Sequence, residues 1–200
     1  FTFLRCDVRN KKILNKFIKK NDVIIPLAAL VGAPLCEKNK KETIQTNLNV
    51  IKNIFKVLDK KIIIYLNSNS GYGIGLKNKY CDENSQLNPI SLYGRTKCDA
   101  EKYILKFKNY ICLRLATVFG YSYRMRTDLL VNNFVERAVK TKKLEIFEPH
   151  FRRNYIHVKD ISNAFLFSII NFQKMKGNIY NLGLSNANLT KIELAKSIKK

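Results

Sequence analysis

The feature that constrains the fold most is the almost uninterrupted apolar run Lys61–Leu66, KIIIYL. A strand that is apolar along its whole length is typical of a parallel sheet covered on both faces. Apolar runs and amphipathic helices alternate around it, which predicts an α/β fold with a doubly wound parallel sheet. We predict strands at Phe1–Val8, Asp22–Val31, Lys61–Leu66 and Tyr110–Val118, and helices at Lys11–Lys20, Glu42–Leu58 and from Ser91 onward. The second helix is expected to face inward with Ile44, Leu48, Ile51, Phe55 and Leu58.

The stretch Asn88–Lys106 carries the first chemical signal. Asn88-Pro89 predicts a turn, and Ser91 is a candidate N-cap of the helix that follows. On that helix Tyr93 and Lys97 are four residues apart, which places the phenol and the ammonium on one face. A tyrosine has an unperturbed pKa of about 10, and a neighbouring positive charge favours its phenolate. The pair is therefore a candidate acid and base for proton transfer at an alcohol carbon.

Polar and small residues follow the buried strand at the edge where open α/β sheets bind ligands. They are Asn67-Ser68-Asn69-Ser70-Gly71-Tyr72-Gly73. Ser68, Tyr72-Gly73, Tyr93 and Lys97, in this order and spacing, resemble the signature of the extended short-chain dehydrogenase/reductase family. The resemblance is to its nucleotide-sugar epimerases and dehydratases, of the UDP-glucose 4-epimerase type. It implies a Rossmann-type sheet and a catalytic set of Ser68, Tyr93 and Lys97.

The same resemblance implies that the protein binds NAD, and it leaves NADP open. The residues it assigns to the cofactor are Asp7, which would hold the adenine amino group, Val8, Leu27, Ala28, Ala29, Asn47, Tyr93 and Lys97. The glycines of Gly71-Tyr72-Gly73-Ile74-Gly75 lack the G-x-G-x-x-G spacing of a phosphate-binding loop. We expect that loop and the first strands of the sheet to precede Phe1, so this piece alone should bind a dinucleotide poorly.

The periodicity becomes less regular past Gly120, which predicts a partial NAD-binding domain at 1–120 and a smaller substrate-binding lobe at 121–200. In the lobe we expect helices at Asp128–Lys140, up to Phe172 and from Thr190, and strands at Leu144–Phe147 and Ile179–Leu182. The string Arg153-Asn154-Tyr155-Ile156-His157 resembles a family segment whose arginine binds the substrate diphosphate, a task that suits a planar guanidinium. The substrate contacts implied by the resemblance are Ser68, Asn69, Thr117, Asn132, Asn133 and Arg153.

The residues after Ser68 bear on the reaction. Family 4,6-dehydratases place Asp-Glu there to eliminate water, whereas this chain has Asn69-Ser70. The resemblance therefore implies an epimerase that transiently oxidises the sugar at C4, with Tyr93 as acid and base. A reductase of 4-keto nucleotide sugars that uses NAD(P)H is the alternative. A noncatalytic dinucleotide- or nucleic-acid-binding protein on the same fold is an alternative of another class.

Composition excludes few function classes. The formal charge of +22 comes from lysines scattered along the chain, without a nucleic-acid-binding signature, so we expect no nucleic-acid partner. The cysteines, five in number, show no C-x-x-C, which predicts neither a zinc site nor disulfides. No apolar run reaches the ~18 residues of a membrane span. We expect a cytoplasmic enzyme without a metal, and a homodimer formed through the Tyr93 helix at Cys98–Phe107.

Overall fold

The computed structural model describes residues 2–75 and 80–199, and every element below lies in them. The helices are α1 (Lys11–Lys20), α2 (Ala33–Lys38), α3 (Lys40–Thr43), α4 (Val50–Val57), α5 (Leu92–Ile104), α6 (Leu130–Thr141), α7 (Val158–Ile170), α8 (Phe172–Met175) and α9 (Lys191–Lys199). The strands are β1 (Val23–Ile24), β2 (Ile62–Ser68), β3 (Tyr110–Leu115), β4 (Thr117–Phe119), β5 (Arg152–His157), β6 (Asn178–Leu182) and β7 (Asn188–Thr190). The chain divides into two compact units, Phe1–Arg114 with Ser168–Asn181, and Leu115–Phe167 with Leu182–Lys200.

The first unit is built on a parallel sheet in the order β1-β2-β3-β6, which confirms the predicted α/β fold. Helices α1, α4 and α5 pack with β2 and β3 around one apolar core. The side chains of Ile63 and Tyr65 on β2 are completely buried in it, as are those of Leu58 and Ile104 from the helices. Burial of whole strands between layers explains the continuous apolar run that predicted β2.

The predicted strand Phe1–Val8 is wrong for the residues that the structure describes there. Residues 2–7 form no strand, and the chain turns at Val8 and Arg9 before α1. A strand needs a neighbour to accept and donate its backbone hydrogen bonds, and in the described part of the chain none pairs with this segment. The predicted strand Asp22–Val31 shortens to β1 for the same reason, since β2 pairs with only Val23 and Ile24.

The helix predicted at Glu42–Leu58 forms from Lys40 to Val57, but its middle, Ile44–Asn49, is π-helical. A π-helix bonds each residue to the fifth rather than the fourth along, which rotates the following side chains around the axis. The buried residues of that segment are Thr46 and Asn47, and the predicted Leu48 packs against the core, while the predicted Ile44 is 39% exposed. A regular period of 3.6 could not predict this change of face.

The second unit contains a sheet in the order β4-β5-β7, with β4 parallel and β7 antiparallel to β5. The predicted strand Tyr110–Val118 is interrupted at Ala116, so its two halves, β3 and β4, belong to different sheets. Leu144–Phe147 forms no strand; its Leu144 and Ile146 instead pack on an apolar cluster with α6 and α9. The described helices include none that is long and apolar enough to cross a bilayer.

Candidate active site

Strand β2 ends at Ser68, which caps a short 3₁₀ turn, Asn69–Tyr72. The Ser68 hydroxyl oxygen accepts a hydrogen bond from the Ser70 amide at 3.2 Å, and the two hydroxyl groups also lie 3.2 Å apart. The contact from the Ser68 hydroxyl to Asn69 Oδ1 is long, at 3.5 Å. The turn therefore holds a half-buried hydroxyl at the carboxyl end of the strand, where the sequence placed it.

Two glycines bring this turn against the start of α5. Gly73 has φ +67°, and a Cβ there would overlap the carbonyl oxygen of Asn88. The Asn88 amide in turn donates to the Gly71 carbonyl at 2.9 Å. At Gly94, in the first turn of α5, a Cβ would lie 3.0 Å from the Ser70 carbonyl oxygen. Glycine at these positions allows the helix and the turn to approach closely.

Helix α5 begins as the sequence predicted, with the Ser91 hydroxyl accepting from the Gly94 amide at 3.1 Å. Tyr93 is half-buried in the first turn, and Lys97 lies one turn further on the same face. Lys97 is only 7% exposed, and its ammonium lies over the ring of Tyr65, 4.3 Å from the centroid. Burial lowers the pKa of Lys97 from 10.5 to about 8, against the opposing effect of the negative charges around it.

This pKa leads to a stability prediction for Lys97→Met. Below pH 8 folded and unfolded chains are both protonated, so the full burial penalty of about 3 kcal/mol is present. Between pH 8 and 10.5 the unfolded chain binds more protons, so the contribution of Lys97 to the unfolding free energy rises with pH. Lys97→Met removes this penalty but also loses the favourable cation–π contact with Tyr65. We therefore expect the variant to be more stable than wild type by about 1–3 kcal/mol at pH 7.

Urea unfolding of the two proteins between pH 7 and 10.5 measures this difference, which should shrink across the upper part of the range. Comparing variant with wild type removes the effect of the other buried titratable groups, which both proteins share. Lys102→Met is the matched control, since that ammonium is exposed on the same helix. A difference that stays constant with pH would contradict the prediction.

A buried ion pair lies one turn beyond Lys97 on the same face of α5. Glu101 and Arg114 are 2% and 5% exposed, and the guanidinium donates to both carboxylate oxygens, at 2.7 and 3.2 Å. Asn67 and the thiol of Cys112 also donate to the carboxylate. Burial raises the pKa of Glu101, but the hydrogen bonds from Arg114 and Asn67 outweigh it and hold that pKa below its usual value. The carboxylate is therefore charged and links α5 to β2 and β3.

The same guanidinium reaches the loop between β2 and α5. Arg114 donates to the Tyr72 hydroxyl at 2.9 Å and to the Glu83 carbonyl at 3.0 Å. The Tyr72 hydroxyl donates to Asn181 Oδ1 at 2.6 Å, and the backbone amide of Asn181 donates to the Glu83 carboxylate. Helix α5, the turn Asn69–Tyr72 and the loop that follows it thus share one polar network around the buried pair of Glu101 and Arg114.

Sequence reasoning missed the network residues Asn67, Glu101 and Arg114, and it missed Tyr65. Two signals were present. Glu101 follows Lys97 by four residues on the same helix face, and Arg114 is a charge inside an otherwise apolar strand. A charge in a buried strand requires a partner, and the acid on the neighbouring helix was the available one.

Four of the predicted cofactor residues line one cavity of about 330 Å³: Asp7, Val8, Ala28 and Ala29. Asn47, Tyr93 and Lys97 are not among its lining residues. Leu27 lies beside this stretch and is 62% exposed. Arg9 donates to both oxygens of the Asp7 carboxylate, at 2.6 to 3.0 Å, and lowers its pKa to about 2. The Asp7 carboxylate is therefore a charged, solvent-exposed hydrogen-bond acceptor at the rim of this cavity.

Asn47 lies at the base of the same region, in the π-helical segment. Its side-chain amide donates to the Leu30 carbonyl and its oxygen accepts from the Leu30 amide, both at 2.9 Å. The amide is 2% exposed, and both of its ends are engaged by one backbone unit. The structure therefore places Asn47 as the residue that fixes the loop after β1.

The remaining predicted substrate residues belong to the second unit. Asn132 accepts from the Gly120 amide at 3.2 Å and donates to the Arg126 carbonyl at 3.0 Å, and Asn133 donates to the Thr127 carbonyl. These amides shape the segment between β4 and α6. Thr117 is half-buried at the start of β4, and Arg153 is exposed on β5. In residues 2–75 and 80–199, no group of His, Cys, Asp and Glu is arranged to hold a metal ion.

The parallel sheet with its helix layer and the polar ends of its strands defines a Rossmann-type α/β protein. Comparison with known families gives the particular family. The profile of the NAD dependent epimerase/dehydratase family matches residues 1–183, so this chain is a member of that family. The resemblance drawn from Ser68, Tyr93 and Lys97 is thereby confirmed at the level of the family.

The relatives agree with this placement at low identity. A Methanocaldococcus jannaschii protein is 27% identical over 90% of this chain, and a Lactobacillus helveticus UDP-glucose 4-epimerase is 24% identical over 98%. The chain spans 62% and 68% of their lengths.

Solved structures show the same fold. A Thermotoga maritima UDP-glucose 4-epimerase with UDP-glucose superposes with a TM-score of 0.82 at 22% identity, covering 98% of this chain and 67% of its own. A Bacillus anthracis dTDP-glucose 4,6-dehydratase in complex with NAD gives 0.81 at 22% identity, covering 98% and 62%. Epimerases and dehydratases thus share the architecture, and the reaction must be argued from the residues.

Proposed function

We propose that the protein is an NAD-dependent nucleotide-sugar epimerase that transiently oxidises the sugar at C4, with Tyr93 as acid and base. The observation that carries the proposal is the close fit of the Ser68 turn against the first turn of α5, where a Cβ on Gly94 would lie 3.0 Å from the Ser70 carbonyl oxygen. In this proposal the hydroxyl of Ser68, the phenol of Tyr93 and the buried ammonium of Lys97 act together at this strand end. Family membership supports the reaction class.

The chain fits part of NAD. A cavity of about 330 Å³ whose lining includes Ala28 and Ala29, with the Asp7 carboxylate as an acceptor at its rim, would suit a flat, amino-bearing ring such as adenine. Asp7 would accept from that amino group, and Asn47 would hold the adjoining loop in place through Leu30. NAD bound there would supply reversible hydride transfer at the sugar carbon. NADP remains an alternative cofactor in this proposal.

The residues on α5 and β2 divide the proton chemistry. The phenolate of Tyr93 removes the hydroxyl proton at C4, and Ser68 donates a hydrogen bond to the same oxygen as its charge changes. The Lys97 ammonium favours the phenolate by its charge and binds the cofactor ribose. After the keto intermediate rotates in the site, Tyr93 returns the proton to the oxygen and the opposite epimer forms.

The residue pair after Ser68 argues against a dehydratase. Elimination of water needs an acid and a base beside the reacting carbons, and Asn69 and Ser70 supply neither. Thr117, Asn132, Asn133 and Arg153 of the second unit are proposed to contact the nucleotide diphosphate, with Arg153 as its cationic partner.

The test is a panel of UDP-glucose, UDP-N-acetylglucosamine and GDP-mannose incubated with the full-length protein without added reductant. Proton NMR that shows a C4 epimer of one sugar would support the proposal. If no epimer forms but NADPH is oxidised with a 4-keto nucleotide sugar, the enzyme is the reductase instead. If neither reaction occurs, the fold serves binding alone and the proposal fails.

A further inference from the structure

Tyr65 makes two contacts with one residue of the catalytic helix. Its ring lies under the Lys97 ammonium, 4.3 Å from nitrogen to centroid. Its hydroxyl donates a hydrogen bond to the backbone carbonyl of Lys97 at 3.1 Å. The Tyr65 side chain is completely buried and lies three residues before Ser68 on β2. Its hydroxyl must therefore find its hydrogen-bond partner within the protein.

A buried ammonium is stable as a cation only where other groups replace its hydration. The titratable groups that face Lys97 are Tyr65 on β2, Cys112 on β3, and Cys98 and Glu101 on α5, with Tyr93 one turn earlier on the same helix face. Burial raises the pKa of both thiols, so they are neutral at pH 7. The Glu101 carboxylate is already paired with Arg114 at 2.7 Å. The negative face of the Tyr65 ring, 4.3 Å from the ammonium, is then a stabilising partner of this cation.

The hydroxyl contact acts on the backbone. A carbonyl within α5 already accepts from the amide one turn later, and the Tyr65 hydroxyl adds a second donor from the neighbouring strand. This bond ties the helix to β2 at the turn that carries Lys97. Ring and hydroxyl together determine where the ammonium lies relative to the strand that ends in Ser68.

We propose that Tyr65 is a positioning residue of this site: its ring keeps the Lys97 ammonium charged and in place, and its hydroxyl fixes the helix turn that carries it. The inference rests on the proposed role of Lys97 in the reaction. It adds to Ser68, Tyr93 and Lys97 a residue that touches neither substrate nor cofactor and acts through Lys97.

The first experiment measures the Lys97 charge without any substrate. The full-length protein is labelled with ¹⁵N-lysine, the Lys97 signal is identified by its loss in Lys97→Met, and its titration is followed by NMR. Replacing Tyr65 by trifluorophenylalanine keeps the ring shape but weakens its negative face, and Tyr65→Phe is the matched control that keeps that face. We expect the titration midpoint to fall by about one pH unit with the fluorinated ring and to move little with phenylalanine.

Equal midpoints in the fluorinated and phenylalanine variants would overturn the proposal. Because both rings nearly preserve the packed volume, the comparison does not depend on a variant that leaves a cavity. This readout also stays informative if the full-length protein shows no reaction with any nucleotide sugar. In that case the proposed function fails, while the titration still decides whether Tyr65 holds the charge on Lys97.

Where the enzyme is active, the pH profile gives a second readout. Partial loss of the Lys97 charge lowers kcat/KM at pH 8 more than at pH 6, since the ammonium is protonated at the lower pH in every variant. We expect about a fivefold loss at pH 8 with the fluorinated ring, because a midpoint one unit lower leaves about a tenth rather than a half of Lys97 protonated there, and recovery toward the Tyr65→Phe value at pH 6. A loss of the same size at every pH would show a structural role alone and contradict the proposal.

Discussion

Tyr93→Phe is expected to lower kcat of the full-length protein by about 10²–10⁴-fold, because the variant removes the group that we propose takes and returns the sugar proton. The ring remains, so the packing of the first turn of α5 and the affinity for the nucleotide sugar should change little. Substrate binding measured by calorimetry and turnover measured by NMR separate the two effects. A decrease in kcat with an unchanged dissociation constant identifies proton transfer as the step affected.

Tyr103→Phe is the matched control for this experiment. Tyr103 lies on the same helix, away from the turn Asn69–Tyr72. It contacts Phe55 and the ammonium groups of Lys52 and Lys106. Removal of its hydroxyl should leave kcat within about twofold, as expected for a surface change outside the site. If Tyr93→Phe retains more than about a tenth of the activity, another residue is the base and the proposed mechanism is wrong.

The strongest local patterns in the sequence predicted the corresponding structure correctly. The apolar run at Lys61–Leu66 became β2, and Ser91 caps α5 through its hydroxyl as predicted. Both features depend on a few neighbouring residues: continuous burial in one case and a side chain bonding the amide three residues later in the other. Asp7, Val8 and the alanines after β1 line one cavity, while their contact with a cofactor stays a prediction.

Features that depend on distant partners could not be predicted. The π-helical segment that turns Asn47 toward Leu30 follows from the tertiary bond between them and has no local sequence signal. The end of β3 at Leu115 depends on which sheet each half of an apolar run joins. Lys97 shows the same limit within the site: spacing placed it beside Tyr93, but its burial on the Tyr65 ring required β2 to be in position.

The buried pair of Glu101 and Arg114 leads to the second large effect. Glu101→Gln leaves a guanidinium that is 5% exposed without its counter-charge, and Arg114→Met leaves a buried carboxylate. We expect either variant to lower the unfolding free energy by about 3–5 kcal/mol at pH 7, because an uncompensated charge in the interior loses both hydration and partner. Urea unfolding followed by circular dichroism measures each value.

The double variant Glu101→Gln/Arg114→Met separates the cost of one unpaired buried charge from the contribution of the pair itself. With both charges gone, we expect it to be more stable than either single variant and within about 2 kcal/mol of wild type. The exposed pair of Lys102 and Asp99, 2.9 Å apart on the same helix, is the control, and Asp99→Asn should change stability by less than about 1 kcal/mol. If the two single losses simply add in the double variant, the residues are not coupled.

The pH dependence of these variants checks the same interaction from the carboxylate side. Since the pKa of Glu101 is lowered in the fold, its ionised form contributes stability that is fully present above the usual glutamate pKa of about 4.3. That contribution is lost as the pH falls through the folded value, so the wild type should weaken in acid more steeply than the double variant. Parallel decreases below pH 4.3 in the two proteins would show that the carboxylate contributes nothing through its charge. A steeper wild-type decrease would assign to this pair the anchoring of α5 on the sheet, and with it the alignment of Tyr93 and Lys97 on Ser68.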